Sequence, residues 1–99
     1  MKLSKKDQYI IERYQQDEEM MILIFAQWCK NNDLDPLEVY EKAYPNQPKN
    51  NTLLEVMKKT VPKNESEDIS KELVQHVLQI FGNDDLAFVI QEIIDQRKK

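Results

Sequence analysis

A single glycine and a single cysteine set the first limits on this chain of 99 residues. All-β folds rely on glycine in turns and bulges, where the backbone takes a positive φ that other residues resist. With Gly82 alone, glycine-rich phosphate loops are excluded, and helices joined by polar turns are favoured. Cys29 alone excludes an internal disulfide and fits a reducing compartment. His76 is the only histidine, so neither a zinc constellation nor a catalytic triad can be assembled around it. It stands at the edge of an apolar stripe and reads as a structural or surface residue.

Long apolar runs are missing too. The longest, Met20 to Ala26, is far short of the ~20 residues a membrane span requires. The opening "MKLSKKDQYIIERYQQDEE" is too polar for a signal-peptide core. A cytoplasmic protein with no membrane partner is expected. Nor does charge of one sign accumulate: each half of the chain carries seven basic and nine acidic side chains. No basic arm or stripe is present to meet phosphates by counterion release, which makes nucleic acid an unfavoured partner. Acidic clusters such as Asp17-Glu18-Glu19 read as solvated surface. "DLDPLEVYE" lacks the glycine and the regular acidic positions of a calcium loop. No metal and no cofactor is expected. The Asn/Gln/Lys/Ile-rich composition is that of an AT-rich bacterial or phage genome.

What is present is helical pattern. The chain is 40% hydrophobic and 32% charged, which separates it from disordered sequences and suits one domain over 1–99. Ser4 is placed to cap a first helix, with Asp7 at its positive end. Ile10, Tyr14, Met21, Ile24, Phe25 and Trp28 then recur at helical spacing. This predicts one helix over 5–31, the alternative being two helices broken near residues 16–18. Its second half, Met20 to Cys29, is apolar nearly all round and is expected to be the core. Asp35-Pro36-Leu37-Glu38 opens a second helix over 36–44, closed by Pro45. Thr52-Leu53-Leu54-Glu55 reads as a capping box for a third over 53–60, closed by Pro62.

Ser70 is the expected cap of a helix over 70–81, with Ile69 placed to staple onto Val74. Its stripe is Leu73, Val77, Ile80 and Phe81, widened by Val74 and Leu78. Gly82 sits where a left-handed residue closes a helix. Asn83 or Asp84 caps a final helix over 84–97 with the stripe Leu86, Val89, Ile90, Ile93 and Ile94. The expected fold is all-α, a small irregular or orthogonal bundle of about five helices. A long, very apolar first helix and a C-terminal helical hairpin characterise it. "PLEVYEKAYP" at 36–45 and "LLEVMKKTVP" at 53–62 share Leu, Glu, Val, Lys and Pro at a fixed offset, as a degenerate repeat or as any two short capped helices would.

Candidate chemistry is sparse. "MILIFAQWCKNN" at 21–32 resembles the entry to a redox site only superficially. The attacking cysteine of such a site belongs at a helix N-terminus with a second cysteine nearby, whereas Cys29 falls near a helix C-terminus with Asn32 three residues on. Cys29 therefore reads as a buried structural thiol beside Trp28. Residues 22–44 have the lengths of a helix-turn-helix, the alternative reading being a nucleic-acid-binding protein using that unit. Against it, the would-be recognition helix carries two acids and one lysine, Lys42. Tyr40 and Tyr44, four apart, are the candidate partner surface; packing onto the first helix competes for them. The function read from these features is a small, non-enzymatic, cytoplasmic interaction or regulatory module. Its partner is a protein, the chain itself (a homodimer) included.

Overall fold

The structure, a computed structural model, describes residues 4–14, 17–47, 51–66 and 68–97, Tyr14 by its backbone only. The described residues form six α-helices and one 3₁₀ turn and contain no strand. They are α1 (Lys5–Tyr14), α2 (Glu18–Asn31), α3 (Pro36–Ala43), α4 (Asn51–Met57), the 3₁₀ turn (Lys63–Glu65), α5 (Lys71–Ile80) and α6 (Asp84–Arg97). The all-α expectation holds. The long first helix does not: Lys5–Tyr14 and Glu18–Asn31 are separate helices, and the described residues hold six.

The reason is local. Asp17 is extended, with φ −104° and ψ 91°, and its carboxylate accepts the Met20 N–H at 3.0 Å. It is therefore an N-cap, and Glu18 and Glu19 occupy the positive end of a new helix. The apolar periodicity runs through this point because α1 and α2 pack on one another, so both carry inward apolar residues near the break. Ile11 rather than Ile10 is the buried residue of α1. The side chain of Tyr14, also assigned to that stripe, lies outside the described residues.

The caps read from sequence are otherwise largely in place. Ser4 Oγ accepts the Asp7 N–H at 3.1 Å. Asp35 accepts the Leu37 N–H at 2.9 Å, ahead of Pro36 at the first helical position. Ser70 Oγ accepts the Leu73 N–H at 3.1 Å and donates to Asp7 at 2.9 Å, which ties the start of α5 to the start of α1. Thr52 is the exception. Asn51 and Thr52 are both helical residues of α4, so Thr52 lies within that helix and is not its cap. That helix also ends early, at Met57, and tightens through Lys58, Lys59 and Thr60 with bonds to carbonyls three residues back.

Gly82 has φ +73° and closes α5: its N–H bonds the Gln79 carbonyl at 3.1 Å and Asn83 N–H bonds Leu78 at 2.7 Å. This is the Schellman pair. The same pair ends α2 without glycine, on Asp33 at φ +59°, with Leu34 N–H bonded to Cys29 at 2.8 Å. An added Cβ on Gly82 meets nothing within 4 Å. Gly82→Val is therefore expected to lose about 1–2 kcal/mol through backbone strain alone. A thermal melt unchanged by the substitution contradicts the assignment.

Helix α2 is the hub. It packs on α4, α5, α3 and the 3₁₀ turn, while α3 and α5 both pack on α6. Phe25, Ala26, Trp28 and Cys29 join Val39, Leu53, Val56, Leu78, Leu86 and Ile90 in the main cluster. Met21 and Ile24, turned the other way, join Ile11, Leu73 and Val77 in a smaller one. Burial of Met21 to Cys29 on nearly every face matches the expected core, and the C-terminal hairpin packs on it through α5. The α5 stripe is rotated from its expected position. Leu73, Val74, Val77 and Leu78 are buried, Phe81 is half-buried, and Ile80 is 42% exposed.

Candidate functional site

Tyr40 and Tyr44 lie on the α3 side of the main cluster, both half-buried, with ring centroids 5.1 Å apart and planes tilted by 54°. Tyr40 donates to Gln47 Oε1 at 3.4 Å and Tyr44 to Asn83 Oδ1 at 3.1 Å. Asn83 precedes α6, and its carbonyl begins that helix by accepting the Ala87 N–H at 3.0 Å. Burial and then Asp85 push the Tyr44 phenol up, opposed by a hydrogen bond from the Leu86 backbone. Tyr44 thus completes the end of α6 from a distant part of the chain.

Cys29 is wholly buried in the main cluster, beside Trp28. Burial, with a further contribution from the Asp35 carboxylate, pushes its thiol up, away from the reactive thiolate. Reaction with a thiol reagent at neutral pH is expected to be at least about 10³-fold slower in the native protein than in the urea-unfolded chain. Equal rates contradict this burial. His76 is exposed on α5. Among the described residues no group of three or more His, Cys, Asp or Glu is arranged to hold a metal ion, and no helix is long and apolar enough to cross a membrane.

The α2–α3 unit, residues 22–44, spends its apolar surface inside the fold. The side of α3 left to solvent shows Glu38, Glu41 and Lys42. Two carboxylates against one ammonium give that surface a charge that repels phosphate. A small cavity of about 70 Å³ lies among Met21, Ile22, Phe25, Leu78 and Leu86, with Glu18, Tyr40 and Asn83 adding polar atoms. Small-molecule sites run to roughly 300–1,000 Å³, so this cavity has room for a few atoms rather than a cofactor.

The hairpin's outer face is different. On α6, Asp84, Phe88, Glu92 and Asp95 follow one another at helical spacing along one stripe. Gln75 and Gln79 of α5 face them across a shallow groove floored by Ala87 and Gln91. Gln75 donates to Gln91 at 2.6 Å, and Gln91 donates to Asp95 at 2.9 Å, which fixes the register of the two helices. Phe88 stands in this polar setting 55% exposed, while Ile90 two residues on is fully buried. Sequence periodicity traces the buried stripe of α6 and passes over Phe88. The available signal was an aromatic residue lying off that stripe, with acids one turn to either side.

Apolar periodicity also passes over a polar residue inside α2. Gln27, in the middle of the apolar α2, is 8% exposed. Its amide accepts the Val61 N–H and donates to the Val61 carbonyl, both at 2.9 Å, and also donates to Asn31 Oδ1 at 2.9 Å. Asn31 in turn donates to Ser66 Oγ at 3.1 Å. This network holds the segment after α4 against α2 and is structural in character.

Residues 2–95 match the protein family described as YxiS. A Bacillus subtilis (strain 168) protein named "Uncharacterized protein YxiS" is 50% identical over 94 residues, covering 94% of this chain and 98% of that protein. No solved structure matches the chain. The chain belongs to the YxiS family.

Proposed function

We propose that this member of a bacterial family is a non-enzymatic, cytoplasmic interaction module that docks a protein partner on the outer face of the α5–α6 hairpin. The exposure of Phe88, 55% in a groove with polar walls, carries the reading. Burying such a side chain is worth about 1.5–3 kcal/mol, which a partner recovers on docking. Aromatic residues are enriched among the anchors of protein interfaces, and the surrounding glutamines supply hydrogen-bonding groups for a polar rim. Tyr40 and Tyr44 are the weaker candidates, because both rings are half-buried and both hydroxyls already hold partners. The non-enzymatic part of the reading is supported by the nucleophile candidates: Cys29 is sealed in the core and His76 stands apart from it.

The test is site-specific photocrosslinking in bacterial cells. p-Benzoylphenylalanine in place of Phe88 is expected to capture a discrete partner, and the same probe in place of Lys42 on α3 to capture none. Equal capture at both positions, or none at Phe88, overturns the reading.

A further inference from the structure

We infer that the segment docking on the α5–α6 face is cationic, an apolar anchor with Lys or Arg about one helical turn to either side of it. This rests on the docking reading above and specifies the partner's chemistry. Asp84 and Glu92 flank Phe88 four residues away on each side, and Asp95 follows on the same stripe. At 1.5 Å of rise per residue, the flanking carboxylates sit about 6 Å along the helix from the ring. The groove has no basic side chain among its lining residues. Among the described residues, the ion pairs join Lys58 to Glu55, Lys59 to Glu19 and Lys63 to Asp33, and none reaches Asp84, Glu92 or Asp95. Arg97, the cation ending α6, lines a separate groove with Trp28, Asn31 and Ile94.

Helix stability accounts for these acids only in part, through Asp84 in the first turn and the Gln91–Asp95 bond, and gives Glu92 no role. Asp84 and Asp85 complement the positive end of α6, but Asp95 lies in the last turn, where the helix dipole favours a cation. Glu92 and Asp95, three apart, also repel each other. A second copy docking through this same face would set three carboxylates against three. A phosphate backbone would be repelled likewise. A basic segment is the occupant that the charge favours: its cations meet carboxylates that hold no ion pair among the described residues, while its apolar side chain covers Phe88.

The photocrosslinked complex distinguishes the outcomes. The peptide joined at Phe88 is sequenced, and the experiment is repeated with Glu92→Gln and Asp95→Asn combined, both exposed positions. The expected result is a captured segment with two or more Lys or Arg within four residues of the joined position. Its yield should fall roughly tenfold in the neutralised variant, with an unchanged thermal melt. An acidic or uncharged segment, a second copy of this chain, or a yield indifferent to neutralisation overturns the cationic partner and leaves the docking face standing. No capture at Phe88 removes the docking face as well.

Discussion

Trp28→Ala is expected to destabilise the protein by about 3–5 kcal/mol, the largest loss from any single truncation of α2. Trp28 is 4% exposed and sits in the cluster where α2 meets α3, α4, α5 and α6. Truncation forfeits the transfer free energy of an indole and leaves a cavity that five helices cannot close without separating from one another. A domain of this size has about 5–15 kcal/mol in total. The variant should therefore unfold at a much lower urea concentration. The Asn32 side chain, which donates to the Trp28 carbonyl at 2.8 Å, keeps its partner, so the end of α2 is not the source of the loss. Urea titration followed by circular dichroism measures the change. A loss below about 1 kcal/mol would move the core of the fold away from α2.

Gln27→Ala is the second large effect, about 2–3 kcal/mol, and it has a different origin. The Gln27 amide pairs with both backbone groups of Val61 much as a neighbouring strand would. Truncation removes these bonds together with the one to Asn31. Val61 is 40% exposed, so water reaches its freed groups and limits the penalty. The readout specific to this account is amide hydrogen exchange. The Val61 N–H should lose its protection in Gln27→Ala while the amides of Val77 and Ile90 keep theirs relative to global stability. Uniform loss at all three sites would mean that Gln27 acts only by packing.

Much of the architecture was legible in the sequence because caps and breakers are local. Ser4, Asp35, Ser70 and Gly82 act through bonds that span only a few residues, so their chemistry is readable without the fold. The start of α2 was readable in the same way, since Asp17 followed by two glutamates is a cap and a charged first turn. It was masked by apolar periodicity continuing across the junction, because α1 and α2 pack on one another. The end of α4 was not local. Gln27 grips Val61 from 34 residues away and holds that segment after the helix has ended.

The candidate surface was less legible, for a related reason. Periodicity identifies which residues a helix can bury, and Ile80 and Phe81 fit the α5 pattern as well as Leu73 and Val77 do. Which of them is buried depends on how α5 rotates against α2 and α6. Burial of Leu73, Val74, Val77 and Leu78 sets that rotation and leaves Ile80 to solvent, and the Gln75–Gln91 bond is compatible with it. Phe88 was passed over because a stripe drawn through Leu86, Val89, Ile90, Ile93 and Ile94 accounts for α6 without it. Its meaning lies in what does not pack on it.

Phe88→Ala separates a surface role from a core role when its thermal melt and its partner capture are measured together. With Phe88 serving the surface, the melting temperature should stay within a few degrees of wild type. The complex recovered after in-cell formaldehyde crosslinking should be lost. A marked drop in melting temperature, or recovery of the same complex by wild type and variant, would contradict the account.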